Sequence, residues 1–139
     1  MGVYQKEIAL EPKSRGFHVI TDAIDNALTD CPFDKGLCTI FIKHTSASLL
    51  INESADPDVR VDFESYINRA VPENEPYFIH NYEGPDDMPA HIKAGLFGSS
   101  VNIPITKGKL NLGTWQGVYL AEHRDHGGSR KIVVTVIGE

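Results

Sequence analysis

Proline and glycine residues divide the sequence into segments no longer than a strand or a short helix. The 139-residue chain has 12 glycines and 8 prolines, spread along its whole length. No internal repeat, low-complexity tract or Gly/Ser-rich linker separates one part of the chain from another. With 41% hydrophobic residues the chain can bury a core, so we predict one domain over residues 1–139.

Short β-rich segments predict most of the secondary structure. Strands are expected at "YQKEIAL", "FHVI", "LCTIFIK", "SLLINE", "YFIH", "SVNIPI", "KLNLGTWQGVYLAEHR" and "RKIVVTVIGE". Tight turns are expected at Lys107-Gly108 and at His126-Gly127-Gly128. Strand runs broken by two or three separate helices favour an α+β fold with a mostly antiparallel mixed sheet over a regular βαβ repeat.

Two segments carry clear helix signals. Asp56 is a good N-cap and Pro57 suits the first helical position, so a helix should begin there and end before Pro72. An earlier amphipathic helix is predicted to start at Thr21–Asp22 and to stop before Pro32. Both helices have an apolar face that can pack on a sheet.

The stretch "EGPDDMPAHIKAGLFGSS" places polar and apolar side chains next to one another. We expect Asp86 or Asp87 to cap a short helix that carries Ile92, Leu96 and Phe97 on its inner face. The polar residues of the stretch would then line a site, and the apolar ones would fix it to the core.

Charge and cysteine content limit the function classes. The chain has 13 basic and 19 acidic residues, a formal charge of −6 and a pI near 5.4, which disfavours binding to nucleic acid or to an anionic membrane. We find no secretory signal and no transmembrane segment. Cys31 and Cys38 lack the spacing of a metal motif and are expected to be reduced thiols in a cytoplasmic protein.

Four histidines lie at or near predicted element ends, where functional residues often collect. They are His44, His80, His91 and His123. Asp87 and His91 are four residues apart, so one helix face could present both to a divalent metal ion with nitrogen and oxygen ligands. No fixed metal-binding motif supports this site. The alternative is that these residues satisfy backbone groups at element ends.

A second group of residues could bind an anion. Ser99 and Ser100 follow two glycines in "GLFGSS", and Lys93, Arg124 and Arg130 could add positive charge around a phosphate or carboxylate. The glycines lie at a helix end, unlike those of a P-loop, so a structural turn is the alternative.

The remaining candidates each have a structural explanation too. Trp115, the only tryptophan, suits core packing or a subunit interface better than ligand stacking. Asn52 and Glu53 directly follow an apolar run. A buried Glu53 could act as a base, but the helix start that follows also explains a polar segment there.

Several segments together resemble the YjbQ-like family, whose members are often labelled secondary thiamine-phosphate synthase. They are "HTSASLLINESADPDV", "EGPDDMPAHIKAGLFGSS", "IPITKGKLNLGTWQGVYLAEHR" and "VTVIGE". The resemblance covers nearly the whole chain. It implies an α+β homotrimer with pockets close to the subunit boundaries.

The resemblance also implies a site. The recurrent polar residues of the family fall on His44, Asn52, Glu53, His80, Glu83, Asp87, His91, Ser99, Trp115, Gln116, Glu122, His123 and Arg124. Together with the residue patterns, it suggests catalytic roles for His91, His123, Glu53 and Asp87. Substrate contacts are expected from Ser99, Ser100, Arg124, Lys93, Trp115 and Asn52. The expected ligands of a divalent ion (Zn, Mn, Ni or Mg) are His44, His80, His91 and His123.

The implied activity joins a pyrimidine diphosphate to a thiazole phosphate with loss of pyrophosphate, as a secondary activity of a transferase. The alternative function is a non-catalytic trimer that binds a metal or a small anionic metabolite. Clustered polar residues suit binding and catalysis equally well, so both functions remain open at this point.

Overall fold

In the computed structural model, which describes residues 1–139, eight strands and three helices form a single α+β domain, as the sequence predicted. The strands are β1 (Gly2–Leu10), β2 (Gly16–Val19), β3 (Lys35–Ile42), β4 (Ala47–Glu53), β5 (Ser100–Thr106), β6 (Lys109–Leu110), β7 (Gln116–Glu122) and β8 (Arg130–Gly138). The helices are α1 (Thr21–Ala27), α2 (Pro57–Ala70) and α3 (Asp87–Phe97).

The strands form two sheets. A five-stranded sheet has the order β1-β8-β3-β5-β6, and a three-stranded sheet has the order β2-β7-β4. Every strand pair is antiparallel, so the mixed character that we expected of the sheet is absent. Parallel neighbours would need long crossover connections, and no pair of neighbouring strands in either sheet is joined in that way.

Two apolar clusters make a three-layer molecule. The larger cluster lies between the two sheets and includes Ile40 and Val134 of the large sheet and Leu120 of the small one. The smaller cluster includes Tyr119 and packs α2 and α3 on the other face of the small sheet. Leu120 and Tyr119 are neighbours on β7, whose successive side chains enter opposite layers. This explains why β7 is apolar on both faces.

The two clear helix predictions are confirmed. Helix α2 begins at Pro57, and the Asp56 carboxylate accepts a hydrogen bond of 2.9 Å from the backbone N–H of Asp58. It ends at Ala70, before Pro72, as predicted. Helix α1 spans Thr21–Ala27 and is also as expected.

Three local predictions were wrong. Residues 77–80 form no strand because no strand of either sheet pairs with them, and the Ile79 side chain is 94% exposed. Leu96 of α3 is 67% exposed and faces away from the core. Asp86 precedes α3 but makes no side-chain cap; its carboxylate accepts instead from the backbone N–H of Asp125, at 2.9 Å.

The turn and thiol predictions agree with the structure. Lys107 and Gly108 have positive φ angles of 53° and 74°, the backbone of a two-residue hairpin turn between β5 and β6. Cys31 and Cys38 are both free thiols, and burial raises the pKa of Cys38 to about 11. None of the three helices is long and apolar enough to cross a membrane.

The outer face of the large sheet is uncovered and partly apolar. Val3, Ile137 and Leu37 are in register across β1, β8 and β3, and all three are exposed. Phe41 lies further along β3 on the same face and is 45% exposed. The inner face of the large sheet and both faces of the small sheet are packed within the chain, whereas this outer face has no packing partner there.

Candidate functional site

His80, Asp87 and His91 form a cluster that we call the triad. One potential ligand atom from each residue lies within 4.8 Å of the others. The Nε2 atom of His80 is 2.7 Å from Oδ2 of Asp87, and the Nε2 atom of His91 is 3.1 Å from the same oxygen. One carboxylate oxygen therefore lies between two imidazole nitrogens.

The local fold explains how the triad forms. Asp87 is the first residue of α3 and His91 follows one turn later, so both side chains project from one face of the helix, as predicted. His80 comes from the irregular connection between α2 and α3 and lies beside His91, with ring centroids 5.3 Å apart. The chain turn at Gly84, with φ of 108°, separates the two contributions.

The hydrogen bonds of His91 define its tautomer. Its Nδ1 atom is 2.8 Å from the carbonyl oxygen of Thr45, which only accepts, so Nδ1 carries a proton. In a neutral ring Nε2 then has a lone pair, and this lone pair faces the Asp87 carboxylate. Such a pair of acceptors is stable only if the ring gains a second proton or a cation lies between them. A carbonyl that fixes Nδ1 in this way is typical of a metal-binding histidine.

Arg124 holds the carboxylates at the start of α3. Its Nη1 atom lies 3.3 Å from Oδ1 of Asp87, the oxygen that faces away from the imidazoles. Its Nε atom lies 3.3 Å from Asp86, and Nη2 donates to the carbonyl of Glu83 at 2.8 Å. All three guanidinium nitrogens thus have acceptors within the protein.

These charges keep Asp87 ionised. Burial by itself raises the pKa of the Asp87 carboxyl, but the hydrogen bond to His80 and the charges of His91 and Arg124 outweigh burial. The resulting pKa lies below the ordinary value for aspartate. An ionised carboxylate that is almost fully buried is therefore available beside two imidazoles.

His44 is outside the triad. Its Nε2 atom accepts a hydrogen bond of 2.8 Å from the backbone N–H of Lys131, and Arg130 lies near its Nδ1 atom. Nε2 carries no proton because it accepts this hydrogen bond, and burial followed by the charge of Arg130 lowers the pKa of the ring. This arrangement is the backbone-satisfying role that we weighed as the alternative.

His123 is also held elsewhere. It is buried, its Nε2 atom is 2.8 Å from the hydroxyl oxygen of Ser48, and its ring stacks on Phe97 with centroids 5.7 Å apart. Burial, followed by the charge of Lys93, lowers its pKa to about 3. The structure therefore brings His80, Asp87 and His91 together but not His44 or His123.

The predicted anion-binding cations are engaged with protein groups. Lys93 is buried and donates to the side-chain oxygen of Asn68 at 2.6 Å. Burial, and then the charge of Arg15, lowers the pKa of Lys93. Arg130 forms a buried ion pair with both carboxylate oxygens of Glu122. These two cations stabilise the interior.

The other candidates lie away from the triad. The Glu53 carboxylate accepts from the backbone N–H of Asp56 at 3.0 Å, and the Asn52 side-chain oxygen accepts from the backbone N–H of Glu53 at 2.8 Å. Trp115 is 63% exposed beside the start of α2. Ser100 begins β5. The glutamate and asparagine contacts match the structural alternative, a polar segment that leads into a helix.

Two cavities flank the triad. One, of about 420 Å³, is lined by His80 and by Met88 of α3. The other, of about 370 Å³, is lined by His91, Gly95 and Ser99. Sequence reasoning identified both histidines and Ser99 as site residues, and treated Gly95 only as one of the two glycines of the "GLFGSS" segment. A glycine two residues before the end of a helix was the available signal, because glycine is a weaker helix former than alanine.

Sequence reasoning missed the carbonyl of Thr45, which orients His91. No side-chain pattern could have identified it, since the group belongs to the backbone of a distant loop.

Known proteins resemble this chain over nearly its full length. The family model described as "UPF0047 protein YjbQ-like" matches residues 6–139. The UPF0047 protein YjbQ of Escherichia coli O157:H7 is 53% identical over 137 residues, which are 98% of this chain and 99% of that protein. A UPF0047 protein of Synechocystis sp. is 43% identical, over 98% of this chain and 92% of the relative.

Solved structures share the fold. A YbjQ-like protein of unknown function from Sulfolobus solfataricus P2 has a TM-score of 0.88 and 27% identity, with 99% of each chain covered. An uncharacterized conserved protein of the YjbQ/UPF0047 family from Clostridium acetobutylicum has a TM-score of 0.85 and 38% identity, over 95% of this chain and 99% of that one. The sequence match and the shared fold agree, and this chain belongs to the YjbQ-like (UPF0047) family.

Proposed function

We propose that the triad holds a divalent metal ion and that the protein uses this site to bind a small phosphorylated or anionic metabolite. The observation that supports the metal most directly is the hydrogen bonding of His91. Its Nδ1 proton is donated to Thr45, and its Nε2 lone pair faces an ionised carboxylate oxygen that His80 also approaches. A divalent cation at that position would take the place of a second ring proton, with the Nε2 atoms and the Asp87 carboxylate oxygen as its ligands.

The chemistry of the donor set fits some metals better than others. Two imidazole nitrogens and one carboxylate oxygen suit Zn²⁺, Mn²⁺ or Ni²⁺, whereas Mg²⁺ prefers oxygen ligands throughout. Three protein ligands leave coordination positions for a metabolite or water. His80, Asp87 and His91 would bind the ion, and Arg124 would orient Asp87 through its other carboxylate oxygen. A bound divalent ion would supply charge neutralisation for an anionic ligand.

The test is elemental analysis of untagged protein purified without chelator, beside His91→Ala. We expect near-stoichiometric zinc, manganese or nickel in the wild type and its loss in the variant. The matched control is His126→Ala, which removes an exposed histidine from a turn and should retain the metal. Circular dichroism checks that all three proteins are folded. A wild type that stays metal-free after reloading would contradict the proposal.

We propose the thiamine-phosphate synthase reaction as the first activity to assay. In it the thiazole nitrogen forms a bond to the methylene carbon of the pyrimidine substrate. The bond from that carbon to the diphosphate oxygen breaks, and pyrophosphate leaves with the electron pair. Asp87 and the two imidazoles would bind the ion that neutralises this leaving group, so His91→Ala should lower the rate of pyrophosphate release. No product from the metal-loaded wild type and both substrates would count against this activity.

A non-catalytic binder is the second candidate, and the state of the other candidate acid/base groups favours it. His123 is buried and neutral, Lys93 is bound to Asn68, and Glu53 accepts from a backbone N–H. None of the three belongs to the triad. Tight metal and anion binding without turnover would support this function over the enzymatic one.

We also propose that three copies of the chain associate. The support is the uncovered outer face of the large sheet, where Val3, Leu37 and Ile137 form an exposed apolar row across three strands. Contiguous apolar surface of this kind is typical of an interaction surface. Contact with another copy would remove this apolar row from water.

A further inference from the structure

The cavity beside His91 shares one residue with the triad. It holds about 370 Å³, within the range of small-ligand pockets, and its wall includes Thr45, His91, Gly95, Gly98 and Ser99. His91 belongs both to this wall and to the triad. A ligand bound at the triad could therefore extend directly into the cavity.

The two glycines of this wall differ in what the fold requires of them. Gly98 ends α3 with φ of 103°, a conformation that other residues rarely adopt, so the backbone explains its identity. Gly95 is in the last turn of α3, has no positive φ angle, and is a weaker helix former there than alanine. A Cβ atom at Gly95 would meet no atom within 4 Å. The fold gains nothing from this glycine, whereas the cavity keeps its width because of it.

Two residues of the cavity wall have backbone N–H groups without partners. The backbone N–H groups of Thr45 and Ser99 have no acceptor within the chain. The Ser99 side chain adds a hydroxyl at the same wall. Backbone N–H groups that point to no protein acceptor are suited to binding oxyanions.

The charge around the cavity has the sign that an anion needs. Lys43, Arg130 and Lys131 are near enough to His44, another wall residue, to lower the pKa of its imidazole. Arg130 is paired with Glu122 and Lys43 with Glu7, but Lys131 has no acidic partner. The wall itself contains no carboxylate, since the nearby acids are in these ion pairs or in the triad.

We propose that this cavity binds the phosphate group of the ligand and that Gly95 sets how large the bound group can be. The backbone N–H groups of Thr45 and Ser99 donate to the phosphate oxygens. The placement of the rest of the ligand at the triad rests on the metal site proposed above. Gly95 is thus a specificity-determining residue, and its small size is required for binding and not for folding.

The test uses inorganic phosphate and pyrophosphate as probes in isothermal titration calorimetry at low ionic strength. Wild type, Gly95→Ala and Gly95→Leu are compared, each with and without zinc. We expect Gly95→Leu to weaken binding of both anions at least tenfold, because its side chain enters the cavity. Gly95→Ala should weaken pyrophosphate more than phosphate. The matched control is Ser65→Leu on the exposed side of α2, which should bind like the wild type.

Zinc content and thermal unfolding are measured on the same samples. The metal-site proposal and the cavity proposal can then be contradicted independently of each other. Anion binding by a wild type that takes up no zinc, with the Gly95→Leu effect retained, would overturn only the metal site. Normal zinc content with equal anion affinity in the wild type and Gly95→Leu would overturn the cavity proposal. A wild type that binds neither anion would overturn it too. We expect both Gly95 variants to unfold at or above the wild-type temperature, since the added atoms meet no neighbour.

Discussion

At the scale of single residues, the burial of His123 has a consequence for acid stability. The pKa of His123 is lowered from 6.5 to about 3, first by burial and then by Lys93. Between these two pH values the unfolded chain binds a proton on this residue and the folded chain does not. The free energy of unfolding must therefore fall as the pH decreases from about 6.5 towards 3.

We expect this residue to account for about 2 kcal/mol of lost stability between roughly pH 7 and pH 5. The double variant Ser48→Ala/His123→Phe removes the buried pair and keeps an aromatic ring against Phe97. Its free energy of unfolding, measured by urea denaturation at several pH values, should fall less steeply with acidification than that of the wild type. Ser48→Ala alone retains the buried imidazole and should keep the wild-type slope. Identical slopes in the wild type and the double variant would contradict this account.

At the scale of elements, one face of α3 forms the triad and another packs against α2. Asp87 and His91 lie on the face that forms the triad. Lys93, two positions beyond His91 and so turned by about 200°, is buried against α2 through Asn68. The position of the metal ligands thus depends on how α3 packs, and α2 is part of that packing.

The start of α2 offers a direct test of a predicted cap. Asp56→Ala removes the carboxylate that accepts from the N–H of Asp58, so we expect the free energy of unfolding to fall by about 1 kcal/mol. Urea denaturation at neutral pH measures the change. Asp62→Ala, at an exposed position inside the same helix, removes an equal charge without a cap and should change stability by less. Equal losses in both variants would show that charge and not capping stabilises this end.

At the scale of the whole molecule, the layers leave one large surface without a partner. The inner face of the large sheet packs on the small sheet, and the small sheet packs on α2 and α3. No helix covers the outer face of the large sheet, whose apolar row includes Ile137, 53% exposed. Association through this face would complete the packing that a single chain lacks.

Light scattering after size exclusion should give three times the chain mass of 15.4 kDa for the wild type. Ile137→Lys places a charge in the centre of the apolar row, so we expect a shift towards the monomer. Val61→Lys makes the same kind of change at an exposed position on α2 and should leave the mass unchanged. A trimer that tolerates Ile137→Lys would place the interface elsewhere.

The sequence by itself determined the parts of this protein that local physics controls. Residues that are neighbours in sequence specify the α2 start at Asp56-Pro57, the hairpin turn at Lys107-Gly108 and most strands. These features could therefore be predicted from the sequence. The pairing of Asp87 with His91 was predictable for the same reason, because helix geometry places residues four apart on one face. Membership of the YjbQ-like family followed from the order of its motifs.

Only the tertiary structure decided which of the four candidate histidines share a site. His80 reaches Asp87 through an irregular connection whose path has no local signal, and His44 and His123 bind Lys131 and Ser48 instead. The division of the strands into two sheets was likewise set by packing, since β4 pairs with β7 and not with its sequence neighbour β3. Long-range packing decides these outcomes because each depends on groups that are distant in sequence and close in space.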